Sequence, residues 1–280
     1  MAHPEKPEAL RLAAEAERKL GLWGADVLLS ISLDDTLNGF DADLAVVFGG
    51  DGTVLGAVDR LGENPPPILA FNMGRLGYLA DNPPERMAEL IREALSGWLQ
   101  ASERMMVDAS LAGRGEERSY RALNEFAIVG RHNGRLVPVS VRVSGEELMD
   151  IRGDGVIVST ATGSTAYAMA AGGPVASPEL KALILIPVCP HQLANRSLVL
   201  EPNETVELTH QSEHPVELMA DGRLCGAVEK GDVLAIRMSR TVVKLLSPAR
   251  GRYKVLRDKL GWGWKAEWER NESARRSARL

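Results

Sequence analysis

The sequence predicts an α/β domain with a parallel sheet, followed by a β-rich, β-sandwich-like domain. Three observations predict it. Over the first hundred residues, short apolar runs alternate with stretches of helical spacing, the order that builds a parallel sheet. After about residue 100, the apolar period drops to two. The chain's 280 residues also suffice for two domains of moderate size. The expected division is 1–100 for the α/β domain, 101–252 for the β-rich domain and 253–280 for a tail with a frayed end.

Each element follows from its own spacing. Ala9, Ala13, Ala16 and Leu20 predict a helix that Gly21 stops. Val27 to Ile31 reads as a strand, and Leu44 to Phe48 as a second one, apolar throughout as a covered parallel strand should be. Val54, Leu55, Val58 and Leu61 put a helix over Thr53 to Leu61. A proline loop at Pro65-Pro66-Pro67 precedes a strand from Ile68 to Phe71. Asn82-Pro83-Pro84 then opens a helix whose Met87, Leu90, Ile91, Ala94, Leu95 and Trp98 form one apolar stripe.

In the second half, Val137, Val139, Val141 and Val143 alternate with polar residues or proline, as in a half-buried strand. Further strands are expected at Val156–Ser159, Ala182–Val188, Ser197–Leu200, Thr205–Thr209, Val216–Met219, Val233–Met238 and Val242–Leu246. Pro202-Asn203, Asp221-Gly222 and Lys230-Gly231-Asp232 are the turns between them. One helical island, Ser164 to Ala171, interrupts the β pattern. The tail carries Leu256, Leu260, Trp262 and Trp264 before turning polar, and its tryptophans read as docking residues.

Charge and hydropathy exclude several classes of function. The 33 basic and 38 acidic side chains leave a net charge of −5, without the concentrated basic surface that nucleic acid or an anionic membrane requires. No apolar run approaches the ~18–20 residues of a membrane helix. The N-terminus lacks a secretory pattern, so a cytoplasmic protein is expected. Cys189 and Cys225 have no ligand-like spacing and read as buried thiols; no histidine sits in a metal-ligand spacing, and a metal site is not assigned.

Two motifs carry chemistry. Gly49-Gly50-Asp51-Gly52-Thr53 lies between an apolar strand and a helix, where ligands of open sheets collect. Its glycines allow backbone N–H groups to approach phosphate, and the helix N-terminus favours anions. A carboxylate there is explained if Asp51 takes a proton from a hydroxyl or works through Mg²⁺. The plainer alternative makes Asp51 the helix cap. The second motif runs from Gly153-Asp154-Gly155 through Ser159-Thr160-Ala161-Thr162-Gly163-Ser164-Thr165-Ala166-Tyr167 to Gly172-Gly173-Pro174. Its hydroxyls cap a buried helix or bond a ligand, and Tyr167 offers an aromatic face to a base. Asn124-Glu125 sits in a β run with one side chain expected to face inward, and Asp221-Gly222 reads as a hairpin turn alone.

In this order the motifs resemble the NAD kinase family, which phosphorylates the 2′-hydroxyl on the adenosine ribose of NAD. Matching stretches are Gly49–Thr53, Asn72-Met73-Gly74-Arg75-Leu76-Gly77-Tyr78-Leu79, Asn124-Glu125, Asp154 to Pro174, Pro190-His191, Asp221-Gly222 and Lys259-Leu260-Gly261-Trp262. The resemblance implies a two-domain fold with its site in the crevice and a tail packed back on the first domain. It implies ATP or another phosphoryl donor such as polyphosphate, a divalent cation (Mg²⁺ first), and a homodimer or homotetramer. By that pattern Asp51 is the proton acceptor. Gly49, Gly50, Gly52 and Thr53 would bind phosphate. Asp51, Gly52, Asn124, Glu125, Asp154, Thr165, Ala166, Tyr167 and Ala170 would bind NAD, with Arg135, Arg152 and Arg223 as further polar contacts.

The chain departs from the pattern at several places. Ala161 and Ser197 stand where proline is usual, and Ala168 and Ala170 where serines are common. The family opens with a strand, whereas a helix is expected here almost from Met1. A lipid or sphingoid kinase shares the glycine-aspartate turn but needs an apolar pocket or membrane surface. A non-catalytic dinucleotide sensor would bind NAD without turnover.

Overall fold

A computed structural model describes residues 1–32, 35–74, 77–113, 116–130, 135–248 and 253–262. β1 (Ala45–Gly49) and β2 (Ile68–Asn72) pair in parallel from Ala45↔Ile68 to Gly49↔Asn72, with α2 (Asp51–Leu61) as the crossover. Alternation along each strand sends side chains to opposite faces. Val47, Ile68 and Ala70 pack under Val54, Ala57 and Val58 of α2. Phe48, Leu69 and Phe71 instead pack under α1 (Pro7–Leu22) and α3 (Met87–Leu95), meeting Leu12, Ala13, Leu90 and Ile91. The crossover therefore leaves α2 with its N-terminus at the carboxyl end of β1, where Asp51 begins the helix.

The remaining strands are β3 (Gln100–Gly113), β4 (Glu116–Ala122), β5 (Glu125–Val129), β6 (Val137–Val143), β7 (Glu146–Gly153), β8 (Gly155–Thr160), β9 (Leu183–Val188), β10 (Leu198–Leu200), β11 (Thr205–His210), β12 (Val216–Ala220), β13 (Arg223–Val228) and β14 (Val233–Ser247). One eight-stranded sheet runs β1-β2-β14-β11-β6-β7, with β3 pairing β14 and β4 pairing β3. A six-stranded sheet runs β10-β9-β8-β5-β12-β13. The first sheet crosses between the halves of the chain, because Leu245 of β14 pairs in parallel with Ile68 of β2. Phe126, Ile128, Val158 and Leu185 of the second sheet meet Val107, Val141, Leu208 and Ile236 of the first, which makes a sandwich core. On the outer face of the second sheet, Ala127, Ile157 and Ile184 pack against Ala168 of α4 (Tyr167–Ala170).

Several expectations are corrected. α1 continues through Gly21 to Leu22, and the chain turns instead at Gly24, whose φ is +84°. Val27–Ile31 is not a strand. The edge of β1 is met by Met1–His3: Phe48 N–H donates to Met1 O, His3 N–H to Phe48 O, and Ala2 pairs with Phe48 in parallel. In the α3 stripe, Leu95 and Trp98 are exposed. The helical island is broken: Gly163–Thr165 forms a 3-10 turn, and Ala166, at φ −102° and ψ −128°, separates it from α4. Val233–Met238 and Val242–Leu246 belong to one strand, β14, whose register against β3 shifts between Met238 and Val242. Cys189 is exposed and Cys225 half-buried against the sandwich core, so neither is fully buried. Trp262 is exposed, and Trp264 lies outside the described residues with the frayed end expected at Arg275–Arg279.

Candidate functional site

At the mouth of β1 the chain leaves Gly49-Gly50 and enters α2. Thr53 Oγ1 accepts the Gly50 N–H, so threonine rather than aspartate caps this helix. The remaining first-turn N–H groups of Asp51 and Gly52 are those an anion can meet. Asp51 turns its carboxylate the other way, onto the loop that follows β2. Its Oδ1 accepts the N–H groups of Leu79 (2.9 Å) and Ala80 (3.1 Å), and its Oδ2 that of Tyr78 (2.8 Å). Lys259 of α5 (Lys254–Leu260) places its Nζ 3.7 Å from Asp51 Oδ2. Asp51 keeps 31% of its side-chain surface exposed, so a reactant can reach it.

The close approach depends on Gly77. A Cβ there would collide with Asp51 Oδ1 and lie 2.7 Å from Ala80 O. Gly77→Ala is expected to push the loop off the carboxylate and cut kcat by about tenfold, the scale of a small misplacement of a reacting group. Steady-state kinetics check this; a wild-type kcat would mean the loop does not hold Asp51. Arg75 and Leu76 of the same motif lie outside the described residues.

A second cluster is organised by Asp221, which sequence reading takes for a turn residue alone. Asp221 and Gly222 do form the β12–β13 hairpin, at φ +48° and +77°. The Asp221 carboxylate also accepts the N–H groups of Leu123 (2.8 Å), Asn124 (2.7 Å) and Glu125 (3.2 Å). Ser159 Oγ donates to Asn124 O and Thr160 Oγ1 to Leu123 O, so both hydroxyls of β8 serve the fold. Asn124 and Glu125 are consequently both buried, where alternation alone would turn one outward. Burial, with the Asp221 charge added, pushes the Glu125 carboxyl up to about 8. Asp221→Ala removes three charge-assisted hydrogen bonds and is expected to cost about 3 kcal/mol of stability. Urea unfolding tests it, and a loss under ~1 kcal/mol would mean the strand is held by the β-ladder alone.

Asp154, Tyr167 and Cys189 gather next to this strand. The Cys189 thiol is raised by its hydrogen bond to Asp154 and by that carboxylate's charge. Burial is the main cause raising the Tyr167 phenol, and Cys189, Asp154 and Glu125 add to it. Thr162 Oγ1 is buried without a hydrogen-bond partner among the described residues. Arg223 crosses to the first half of the chain and pairs with Asp59 of α2. Arg135 and Arg152 are exposed, and Arg152 contributes its backbone carbonyl to the His191 N–H. Among the described residues no group of three or more His, Cys, Asp or Glu side chains forms a metal cage.

The sequence matches two family models: the ATP-NAD kinase N-terminal domain over residues 14–98 and the ATP-NAD kinase C-terminal domain over residues 123–247. The NAD kinase of Citrifermentans bemidjiense is 38% identical over 90% of this chain and 89% of its own. That of Aquifex aeolicus is 37% identical over 80% and 82%. Among solved structures, an NAD kinase from Archaeoglobus fulgidus in complex with ATP superimposes with a TM-score of 0.73 at 28% identity, covering 93% of this chain and 96% of that one. Yeast NADH kinase complexed with NADH gives a TM-score of 0.77 at 27% identity, covering 81% and 68%. With the glycine-aspartate turn, the Asn124-Glu125 wall and the two-sheet architecture already in place, these matches have one meaning: the chain belongs to the NAD kinase family.

Proposed function

We propose that the protein transfers a phosphoryl group from ATP to the 2′-hydroxyl on the adenosine ribose of NAD, giving NADP. The carrying observation is the state of Asp51. Three backbone N–H groups fix its carboxylate, two on Oδ1 and one on Oδ2, which leaves an Oδ2 lone pair for a hydroxyl proton. A secondary alcohol is a weak nucleophile, and a fixed carboxylate helps by orienting it and taking its proton. Family membership supports the same reading, as does the ATP held by the Archaeoglobus relative.

The other assignments follow from position. The N–H groups of Asp51 and Gly52 line the anion end of the site, whereas those of Gly50 and Thr53 are spent on Thr53 Oγ1 and Gly50 O, so Gly49, Gly50 and Thr53 shape the turn rather than donate to phosphate. Asn124, Glu125, Asp154 and Tyr167, with Thr165, Ala166 and Ala170 beside them, form the dinucleotide wall. Arg223 is held by Asp59 and would have to leave it to reach a phosphate. Among the described residues no three-ligand cage exists, so a divalent cation would fit as one carried by the donor's phosphates, with Asp51 the carboxylate available to hold it, and it would supply neutralisation of phosphate charge. Polyphosphate is the alternative donor. A homodimer or homotetramer in the cytoplasm, with a domain division near residue 100, completes the proposal. Among the described residues no helix is long and apolar enough to cross a membrane.

The test is NADP formation by purified protein with NAD, Mg²⁺ and either ATP or polyphosphate. NADP in at least one reaction is expected. Protein that binds NAD in a calorimeter yet forms no NADP with either donor would be a sensor, and the kinase reading would fall.

A further inference from the structure

From the tail helix, Lys259 reaches the Asp51 centre. α5 is anchored by Leu256, which is buried, and ends at Gly261 in a left-handed conformation (φ +67°). Two residues before that end, Lys259 leaves the helix toward the Asp51 loop. Its Nζ lies 4.1 Å from the centre of the Tyr78 ring and 3.7 Å from Asp51 Oδ2, and its side chain is only 21% exposed. Tyr78 is also the residue whose N–H donates to that oxygen. Both contacts therefore fix the ammonium beside the atom that keeps the open lone pair. At 3.7 Å the pair is electrostatic and does not consume that lone pair as a hydrogen bond would.

We infer that Lys259 is a positioning residue for phosphoryl transfer, acting through Asp51; the inference rests on Asp51 accepting the hydroxyl's proton. Before transfer, the ammonium offsets the carboxylate charge and holds Oδ2 toward the hydroxyl. During transfer the 2′-O–H bond breaks and its proton goes to Oδ2. The ribose oxygen forms a bond to phosphorus as the bond from phosphorus to the donor's leaving oxygen breaks. Asp51 then carries the proton, and its attraction for the ammonium falls. The lysine therefore contributes before transfer, by holding Oδ2 aimed at the hydroxyl so that the reactive geometry is already populated. The tail helix thus completes the site from a segment more than two hundred residues away in sequence.

The experiment compares wild type with Lys259→Ala and Lys259→Arg in the full-length chain. Lys259→Ala is expected to lower kcat about 10²-fold, the loss that about 1 Å of misplacement of the base can cause. KM for NAD should stay within about threefold, because the lysine does not touch the dinucleotide wall. Lys259→Arg should recover at least tenfold of the loss, and added ethylammonium should partly restore Lys259→Ala. A Lys259→Ala kcat within threefold of wild type overturns the inference. So does a loss that neither arginine nor ethylammonium relieves, since that marks a purely structural effect. If wild type binds NAD but forms no NADP, the kinase reading and this inference fall together; if wild type turns over, only the lysine's role is being judged.

Discussion

Asp51→Asn is expected to lower kcat by about 10²–10⁴-fold, the range contributed by a positioned general base, while NAD affinity changes by less than about threefold. The geometry makes this substitution less innocent than its size suggests. Asn keeps one acceptor oxygen, but its amide nitrogen must face either the Tyr78 N–H or the pair from Leu79 and Ala80. Two donors then oppose each other, and some stability is lost along with the base. Gly77→Ala separates the two effects, since it disturbs the same loop and keeps the carboxylate. If proton transfer is Asp51's main task, Asp51→Asn must fall at least tenfold below Gly77→Ala in kcat at equal NAD affinity. Equal losses in the two variants would reduce Asp51 to an organiser of the loop.

The strands with a two-residue apolar period, and the β1-α2-β2 unit, were legible in the sequence because burial on a defined face leaves a pattern. Val137–Val143 is the clearest case: its four valines are all buried. β4, β7 and β13 left no such pattern because each lies at the end of its sheet, where strands are solvated and charged. Glu116-Glu117-Arg118 in β4 and Glu146-Glu147 in β7 carry that edge chemistry. The site divides the same way. Asp51, Asn124 and Glu125 stand in recognisable runs, so they could be picked out as candidates directly. The partners that give them their properties could not. Asp51 is held by backbone N–H groups, which every residue but proline possesses, and Asp221 lies 96 to 98 residues from the amides it accepts. A carboxylate in an Asp-Gly turn carries no mark of such a distant partner. Nor could spacing reveal that Ser159 and Thr160 spend their hydroxyls on the fold while Thr162 does not.

Glu125→Gln is expected to flatten the dependence of stability on pH and to make the variant more stable than wild type at pH 9. The folded protein holds the Glu125 proton up to about pH 8, whereas the unfolded chain releases it near the ordinary glutamate value of 4.5. Between these limits the unfolded state binds fewer protons, so raising the pH favours unfolding. This group's contribution is complete below about pH 4.5, is lost through the window up to pH 8, and changes no further above it. A window of that width corresponds to at most about 4–5 kcal/mol, and a measured difference of order 3 kcal/mol between pH 5 and pH 9 is expected. Asp221 is raised by burial too and adds a fall of the same sign. Glutamine has nearly the shape of glutamic acid and cannot ionise, so the larger part of the slope should vanish. Parallel pH profiles for wild type and variant would show that Glu125 ionises normally in the folded protein. The same substitution tests how the wall meets its ligand. Near neutral pH an uncharged Glu125 offers an O–H donor and a carbonyl acceptor, and glutamine offers an equivalent pair. NAD affinity at pH 7 should therefore stay within about threefold of wild type. A carboxylate receiving ribose hydroxyls would instead lose tenfold or more on becoming an amide. Low NAD affinity in Glu125→Gln at pH 7 would thus place a charge on this wall that its burial argues against.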